Sequence, residues 1–422
     1  MLPAPPEDIA LLLERPVAIF GGGVSGQGVL SLLAEIGGVG VVYDEKDASG
    51  AGSFTPDSAG RHRLVVFRPG FAPGHPWFAI ARAAGCVCLG ELDFASLFWR
   101  GDLVAITGTN GKTTLTEFLS FALNGAGRHA QVTGNVGYPF SRFVVEQTGR
   151  ADIAVCEVSS FQAETLQHLQ PGATLWTNFA EDHLERHAGL PAYFTAKWRL
   201  LERTAPAGVF VGTSVQKFAD QFGQPLPASA RVASEGQPAD PRLAGTIFAQ
   251  YPQRENFLLA AAWWCHAGLP DVPLYGAARN FQLAKHRLTR VGERGGVTFW
   301  NDSKATNFHA VEAALGTFRD PVLWIGGGKS KGGDLAAFAG RIASRIRHAY
   351  LIGETRSALL RFLSEARVPA TACLSLQAAV ESAYHFASAG DQVLLSPGFA
   401  SFDMFSGYDD RGRQFEAIVE NL

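Results

Sequence analysis

The chain has 422 residues, enough for about two to three domains. Apolar residues make up 47% of it and charged residues 18%, so it can bury ordinary cores and is not a disordered chain. A net charge of −3 with no basic block argues against a nucleic-acid partner, while a small anionic substrate needs only a few local cations.

The opening MLPAPPEDIALLLERP has no basic segment followed by a long apolar one, and no run approaches the ~18 apolar residues of a membrane span. The expectation is a soluble, cytoplasmic protein with no membrane partner. A short buried strand at 17–20 (VAIF) runs into Gly21-Gly22-Gly23-Val24-Ser25-Gly26, a G-x-G-x-x-G turn, and a helix pattern continues through Ala34. The next strand, VGVVYD, ends at Asp44, near the ~20-residue offset of a ribose-binding acid. This turn is a weak signal, compatible with an NAD-dependent oxidoreductase; its chemistry asks only for a ligand with a pyrophosphate and a sugar. Strand-like runs at 64–67 and 86–89, with a helical stretch at 76–84, complete an α/β domain to residue 99. The five cysteines, at 86, 88, 156, 265 and 373, form neither a C-x-x-C pair nor a disulfide framework, and Cys86 and Cys88 read as core residues.

The strongest signal is LVAITGTNGKTTLTEFL, residues 103–119. A strand, a turn with Gly108 and Gly111, and a helix opening on Lys112, Thr113 and Thr114 make a phosphate cradle. The glycines let backbone N–H groups converge on phosphate oxygens, and the helix N-terminus adds its positive dipole end. Lys112 would neutralise the β/γ-phosphates and the Thr113 hydroxyl would bind Mg²⁺, although G-x-x-G-K-T is two residues shorter than the general pattern. QVTGNVG (131–137) reads as a polar loop presenting Asn135. IAVCEVSSF (153–161) is a buried strand ending in Glu157, and a carboxylate there is a good Mg²⁺ ligand.

His183 and His187 are spaced to share a helix face, but Leu184 stands where a zinc protease needs Glu, so zinc is rejected. Lys197, in the amphipathic helix 193–201, reads by default as a snorkelling side chain. Residues 205–250 form a loop-rich flank with strand-like VFVG and TIFA, and helices follow at 254–269 and to about 283. From residue 285 onward, VTFWNDSKATN (297–307), VLWIGGGKSKGGD (322–334), AYLIGE (349–354) and QVLLSPGFASFDMF (392–405) are strand-to-loop units. They describe an open parallel sheet with its ligands at the C-terminal strand ends.

The ordered set GTNGKTT, EVSSFQ, NFAEDHLERH, AKWRLL, NDSKATN, GGKSKGGD and SPGFASFDMF resembles the Mur ligases, from the N-terminal turn to Gly412. NDSKATN with SPGFASFDMF is far more specific than the phosphate loop. The likeness is to the members that add D-glutamate to UDP-N-acetylmuramoyl-L-alanine, using ATP and an acyl phosphate, in peptidoglycan precursor synthesis. It implies an α/β chain of three domains. These are a Rossmann-like UDP-substrate domain (1–99), a central P-loop ATP domain with a parallel sheet (100–284) and a Rossmann-like glutamate domain (285–422).

By the same resemblance, the UDP substrate would meet Val24, Ser25, Asp44, Glu45, Lys46 and Gly70, with Asn135, Ser159, Gln162 and His183 nearer its reacting end. ATP would meet Gly108, Thr109, Asn110, Gly111, Lys112, Thr113 and Thr114, with Asn256, Arg287 and Asp302. One Mg²⁺ would use Thr113 and Glu157; a second would use Glu157, His183 and a carbamylated Lys197. Lys304, Thr306, Lys331, Ser401 and Tyr408 would receive glutamate, and Lys112, Glu157, His183, Lys197, Lys304 and Lys331 would carry the chemistry. A monomer is implied.

Three features depart from the family pattern. Its S-P-A-C-A-S is S-P-G-F-A-S here, Glu255 precedes Asn256 where His is usual, and Leu259 stands where a second Asn is usual. The short stretch before Asn256 implies a trimmed accessory sheet. The rival readings are an NAD-dependent oxidoreductase, a non-catalytic ATP switch, and within the ligases an L-glutamate, folylpolyglutamate-type or other Mur activity.

Overall fold

The computed structural model describes residues 2–45, 52–146, 152–234 and 236–422. The chain forms two compact units: Met1–Phe179 with Pro191–Ala249 and Gln253–Phe281, and Ala180–Leu190 with Gln250–Pro252 and Gln282–Leu422.

The first unit contains two parallel sheets. The N-terminal one is built from β1 (Val17–Phe20), β2 (Gly40–Tyr43), β3 (Leu64–Phe67) and β4 (Val87–Gly90), in the order β2-β1-β3-β4. β1 and β3 are wholly apolar and buried along their length, as central strands covered on both faces must be. Strand order reverses between them. The second sheet contains β5 (Asp102–Thr107), β6 (His129–Gly134), β7 (Asp152–Glu157), β8 (Ala173–Trp176), β9 (Val209–Gly212) and β10 (Arg231–Ala233), in the order β10-β9-β8-β5-β7-β6. One apolar cluster runs from Val17 and Leu64 through Phe94 to Ala105 and Ala154, so the two sheets share a core. Polar stitches reinforce it: buried Glu91 accepts from the N–H and hydroxyl of Ser141, and Asp93 accepts from the N–H groups of Gln167, His168 and Leu169.

The second unit holds β11 (Thr289–Arg294), β12 (Val297–Asn301), β13 (Val322–Gly327), β14 (Ile346–Ile352), β15 (Ala370–Ala372) and β16 (Gln392–Leu395), in the order β11-β12-β16-β13-β14-β15. This sheet is mixed rather than parallel, because β11 and β12 form an antiparallel hairpin. Gly295 and Gly296 both take positive φ (55° and 79°) at its turn, a conformation that two consecutive glycines reach without strain.

Four local expectations are corrected. Residues 131–134 belong to β6, which leaves Asn135 just past the strand end. Ile247–Ala249 of TIFA is a 3₁₀ turn. His183 and His187 share no α-helix; His183 sits at φ 55° in a turn whose carbonyl accepts from the N–H of His187. Lys197 is 1% exposed, so it does not snorkel. Among the described residues the three sheets are the only ones, with no separate accessory sheet.

Candidate active site

The phosphate loop leaves β5 between two glycines at positions where a side chain would be strained. Gly108 has φ 150°, and a Cβ there would lie 1.9 Å from Thr177 Oγ1; Gly111 has φ 82°, and a Cβ would lie 2.7 Å from Asn256 Oδ1. Residues 177 and 178 lock the turn from β8. Thr177 Oγ1 and Asn178 Nδ2 donate to the carbonyl of Asn110 (2.6 and 3.1 Å), Asn178 Oδ1 accepts from the N–H of Asn110, and the Asn178 carbonyl accepts from that of Thr109. The helix Lys112–Gly125 then starts with no side-chain cap. Its leading amides and dipole therefore point at the loop opening. Lys112 Nζ folds onto the carbonyls of Gly108 (3.0 Å) and Thr109 (2.9 Å), which keeps the cation at the loop. Thr114, expected at the phosphates, is buried at 2% exposure.

Glu157, at the end of β7, is 2% exposed. Its Oε2 accepts from Thr113 Oγ1 (2.7 Å) and its Oε1 from Asn135 Nδ2 (2.8 Å). Groups from the helix after β5 and from the ends of β6 and β7 thus meet at one carboxylate. A hydroxyl beside a carboxylate is a set of hard oxygens that fits Mg²⁺, an ion held by one or two protein carboxylates with the rest of its shell from phosphate and water. Among the described residues no cluster of three or more His, Cys, Asp and Glu side chains gathers at metal-binding distance. Lys197 Nζ donates to the Gly108 carbonyl (2.8 Å) and Thr107 Oγ1 (3.3 Å) and lies 5.0 Å from the Tyr193 ring centre, so this buried amine sits directly beneath the phosphate loop.

The remaining residues of this unit sort by contact. Asn256, bonded to Gln253 Oε1, lies against Gly111 and therefore on the phosphate side; Leu259 is core, and buried Glu255 lies against Gly212. Ser159 and Gln162 bond each other as a capping box that opens the helix Ser160–Ala163. In the N-terminal sheet, Asp44 Oδ2 accepts from the N–H of Gly22 (2.8 Å), Glu45 pairs with His75 (3.4 Å), and Val24 is 69% exposed beside half-buried Ser25. Gly70 lies against Arg68. Lys46 is outside the described residues. A groove lined by Val24, Gln27, Ser31, Arg142 and Glu146 also crosses this unit, but Val24 is its only candidate site residue.

In the second unit, Thr306, Lys331, Asp182 and His183 line one cleft. Lys331 Nζ is 3.4 Å from both Thr306 Oγ1 and Asp182 Oδ1, and Asn307 Nδ2 donates to Asp182 Oδ2 (2.9 Å). Burial lowers the His183 imidazole from its ordinary pKa, opposed by Asp182 and by Glu185, whose Oε1 lies 3.2 Å from Nδ1. Phe399, at the family's cysteine position, is buried against Phe308 and Phe338, which stack at 4.2 Å. Lys304 Nζ lies 3.7 Å from the Tyr408 ring centre. Asp302 accepts from Ser396 Oγ (2.8 Å) and the N–H of Leu288 (3.1 Å), yet burial dominates and pushes its carboxyl up to about 7, with half-buried Arg287 acting the other way. Ser401 is buried at the base of its loop, where its carbonyl accepts from Met404 and Phe405.

Sequence reasoning missed Thr177, Asn178, Asp182, Asn307 and Arg411. Asn307 had a signal, a polar residue just before an apolar helix, and it does cap Ala310. Arg411 had none. It is fully buried, donates to Ser303 Oγ (2.9 Å) and to the carbonyls of Ser303 (2.8 Å) and Phe399 (3.2 Å), and so ties the two loops together.

The family model described as Mur ligase middle domain matches residues 106–259, and the one described as Mur ligase, glutamate ligase domain matches 286–399. The UDP-N-acetylmuramoylalanine–D-glutamate ligase of Gloeobacter violaceus is 35% identical, covering 96% of this chain and 99% of that protein. The protein of the same name from Chlamydia pneumoniae is 34% identical, covering 85% of each. Among solved structures, a pseudomurein peptide ligase type C from Methanothermus fervidus (TM-score 0.60, 14% identity, covering 96% of this chain and 99% of that one) shares the fold. So does the MurF ligase of Thermotoga maritima in complex with ADP (TM-score 0.57, 14% identity, covering 85% and 96%).

Proposed function

The chain belongs to the Mur ligase family, and we propose that it is the ATP-dependent ligase that joins D-glutamate to UDP-N-acetylmuramoyl-L-alanine in peptidoglycan precursor synthesis. The observation that carries the ATP chemistry is the Glu157 carboxylate, held by Thr113 and Asn135 at the mouth of the phosphate loop. We read the domains as 1–99 for the UDP substrate, 100–284 for ATP and 285–422 for glutamate, in a cytoplasmic monomer. No helix among the described residues is long and apolar enough to cross a membrane.

A free carboxylate is a poor electrophile. The substrate carboxylate therefore attacks the γ-phosphorus of ATP, the bond to the ADP oxygen breaks, and an acyl phosphate forms. Lys112 supports this step by exchanging its loop carbonyls for phosphate oxygens and spreading the transferring charge, an electrostatic role that needs no protein nucleophile. Bound Mg²⁺ would neutralise phosphate charge, with Thr113 and Glu157 as ligands of one ion and Glu157, His183 and a carbamylated Lys197 as ligands of a second. The glutamate amine then attacks the acyl carbon, and phosphate leaves from a tetrahedral intermediate. Lys304, Thr306, Lys331, Ser401 and Tyr408 hold glutamate, and Asp182 and Asn307 hold Lys331 in place.

A carbamate turns Lys197 from a cation into an anion, which would supply a second anionic ligand beside Glu157. An electron-density map of enzyme crystallised with Mg²⁺ and nucleotide tests it, and a free ammonium there rejects it. Asp403, the acid of the SPGFASFDMFSGY loop, accepts from the N–H of Glu354 (2.8 Å), which favours a dicarboxylate over a diamino acid. The deciding assay is phosphate release with UDP-MurNAc-L-Ala, ATP and D-glutamate, L-glutamate, diaminopimelate or lysine. Turnover with D-glutamate is expected. Turnover only with L-glutamate overturns the stereochemistry, and turnover only with a diamino acid overturns the pocket.

A further inference from the structure

In the N-terminal sheet, the strand order β2-β1-β3-β4 puts the topological switch point between β1 and β3. Ligands of open parallel sheets bind just outside the C-terminal strand ends at such a point. Phe20 and Phe67 are register partners at those two ends, so the first residues beyond them, Gly21 and Arg68, face each other across the crevice. The N–H of Arg68 donates to the Phe20 carbonyl at 3.4 Å.

The Arg68 side chain is threaded between two glycines. A Cβ on Gly21 (φ 98°) would lie 2.7 Å from Arg68 Cδ and 2.8 Å from Nε, and a Cβ on Gly70 would lie 3.3 Å from Nη1. The guanidinium carbon also lies 5.6 Å from the centre of the Phe71 ring, which itself packs on Phe20, His75 and Trp77. Packing therefore holds this arginine. Among the described residues no carboxylate is paired with it; Glu45, the acid that follows Asp44, is engaged by His75, and Asp44 by the N–H of Gly22. An exposed guanidinium with no counter-ion among the described residues, set at the switch point beside the glycine turn, is placed to take a forked anion.

We propose that Arg68 is a substrate-binding residue of this ligase that ion-pairs with the diphosphate of the UDP substrate, an assignment that rests on the function proposed above. The glycines at 21 and 70 are then needed to pass the arginine stem as well as to turn the chain. Asp44 and Glu45 remain for the neutral part of the nucleotide.

The test is steady-state turnover of the full chain with wild type, Arg68→Gln and Arg68→Lys, together with competitive inhibition by UDP and by uridine. Arg68→Gln should raise KM for the UDP substrate and Ki for UDP by about tenfold or more, as expected for a lost charge-assisted pair. Its kcat should stay within about twofold, because the contact is made equally in ground and transition states. Ki for uridine should not move, Arg68→Lys, which keeps the charge but loses the fork, should fall between wild type and Arg68→Gln for UDP, and thermal melting of both variants should match wild type. An unchanged Ki for UDP in Arg68→Gln overturns the proposal. So does an equal rise in Ki for UDP and uridine, which would place the guanidinium on the base. Absence of turnover of the UDP substrate by wild type is a different failure, that of the function itself.

Discussion

The phosphate loop of the first unit and the NDSKATN and SPGFAS loops of the second have the same placement, past the C-terminal ends of parallel strands, but are held in different ways. The phosphate loop is turned by its own residues and pinned from β8 by the uncharged Thr177 and Asn178. Two glycines with positive φ turn the chain, and the Lys112 ammonium bonds carbonyls three and four residues back. Its buried carboxylate, Glu157, is met by uncharged donors. The second-unit loops are set from far along the chain. Arg411 reaches back 108 residues to Ser303 and 12 to Phe399, with its guanidinium fully buried. The lesson is that one loop is turned by its own glycines and pinned by neutral partners, Thr177 and Asn178, whereas the other is held by a buried cation. Substitutions should separate the two.

The largest expected effect is on chemistry. Lys112→Ala should lower kcat by about 10³-fold, the scale for removing a group that meets developing charge, with a melting temperature near wild type. The check is phosphate release alongside calorimetry. Near wild-type turnover in a folded variant would reject the phosphate-loop assignment.

Arg411→Met should instead act through the fold. It leaves the Ser303 and Phe399 carbonyls without a donor in a dry interior, at a cost of about 3 kcal/mol after the relief of a buried charge. Burial already pulls this guanidinium down to about 10, a sign of that desolvation. Denaturant unfolding measures the loss. The comparison further requires KM for glutamate to rise while KM for ATP does not; equal effects on both would erase the distinction.

Glycine substitutions sharpen the local half of the comparison. Gly108→Ala places a methyl 1.9 Å from Thr177 Oγ1 at φ 150° and should cost about 1–3 kcal/mol with a large loss of ATP turnover. Gly23→Ala, in the N-terminal turn, meets nothing within 4 Å at an ordinary φ of −68° and should stay within about 0.5 kcal/mol. Thermal shifts of the two variants decide it, and comparable losses would mean that the N-terminal glycines are equally constrained.

The same contrast explains what could be read from the chain. The phosphate loop, Glu157 and the strand–turn–helix units were legible because short-range spacing determines them. Lys197 was misread from its helix alone, because an amphipathic pattern does not reveal that a lysine end lies beneath a loop contributed by β5. The hairpin at Gly295-Gly296 had a clear two-glycine signal, hidden only by the expectation that every strand of that region was parallel. Lys304, Lys331 and Ser401 became site residues through family resemblance. Their neighbours Asp182 and Arg411 come from other parts of the sequence, and no local pattern joins an acid at 182 to a lysine at 331.

The last expected effect is a pH dependence confined to the second unit. Burial raises the Asp302 carboxyl from 3.8 to about 7, although Ser396 and the Leu288 N–H favour its ionised form. Well below pH 3.8 the group is protonated both folded and unfolded, and its contribution to stability is fully present. As pH rises towards 7 the unfolded chain ionises while the folded protein keeps its proton, so folding takes up a proton and stability falls with pH. Above about 7 both states are ionised and the loss is complete. Asp302→Asn keeps an acceptor for Ser396 and Leu288 but cannot titrate. The difference in melting temperature between wild type and Asp302→Asn should therefore move steadily against wild type from pH 4.5 to 7 and then flatten. A difference constant across that range would mean that Asp302 is ionised throughout, and that the second-unit loops hold a buried anion as readily as the first unit holds Glu157.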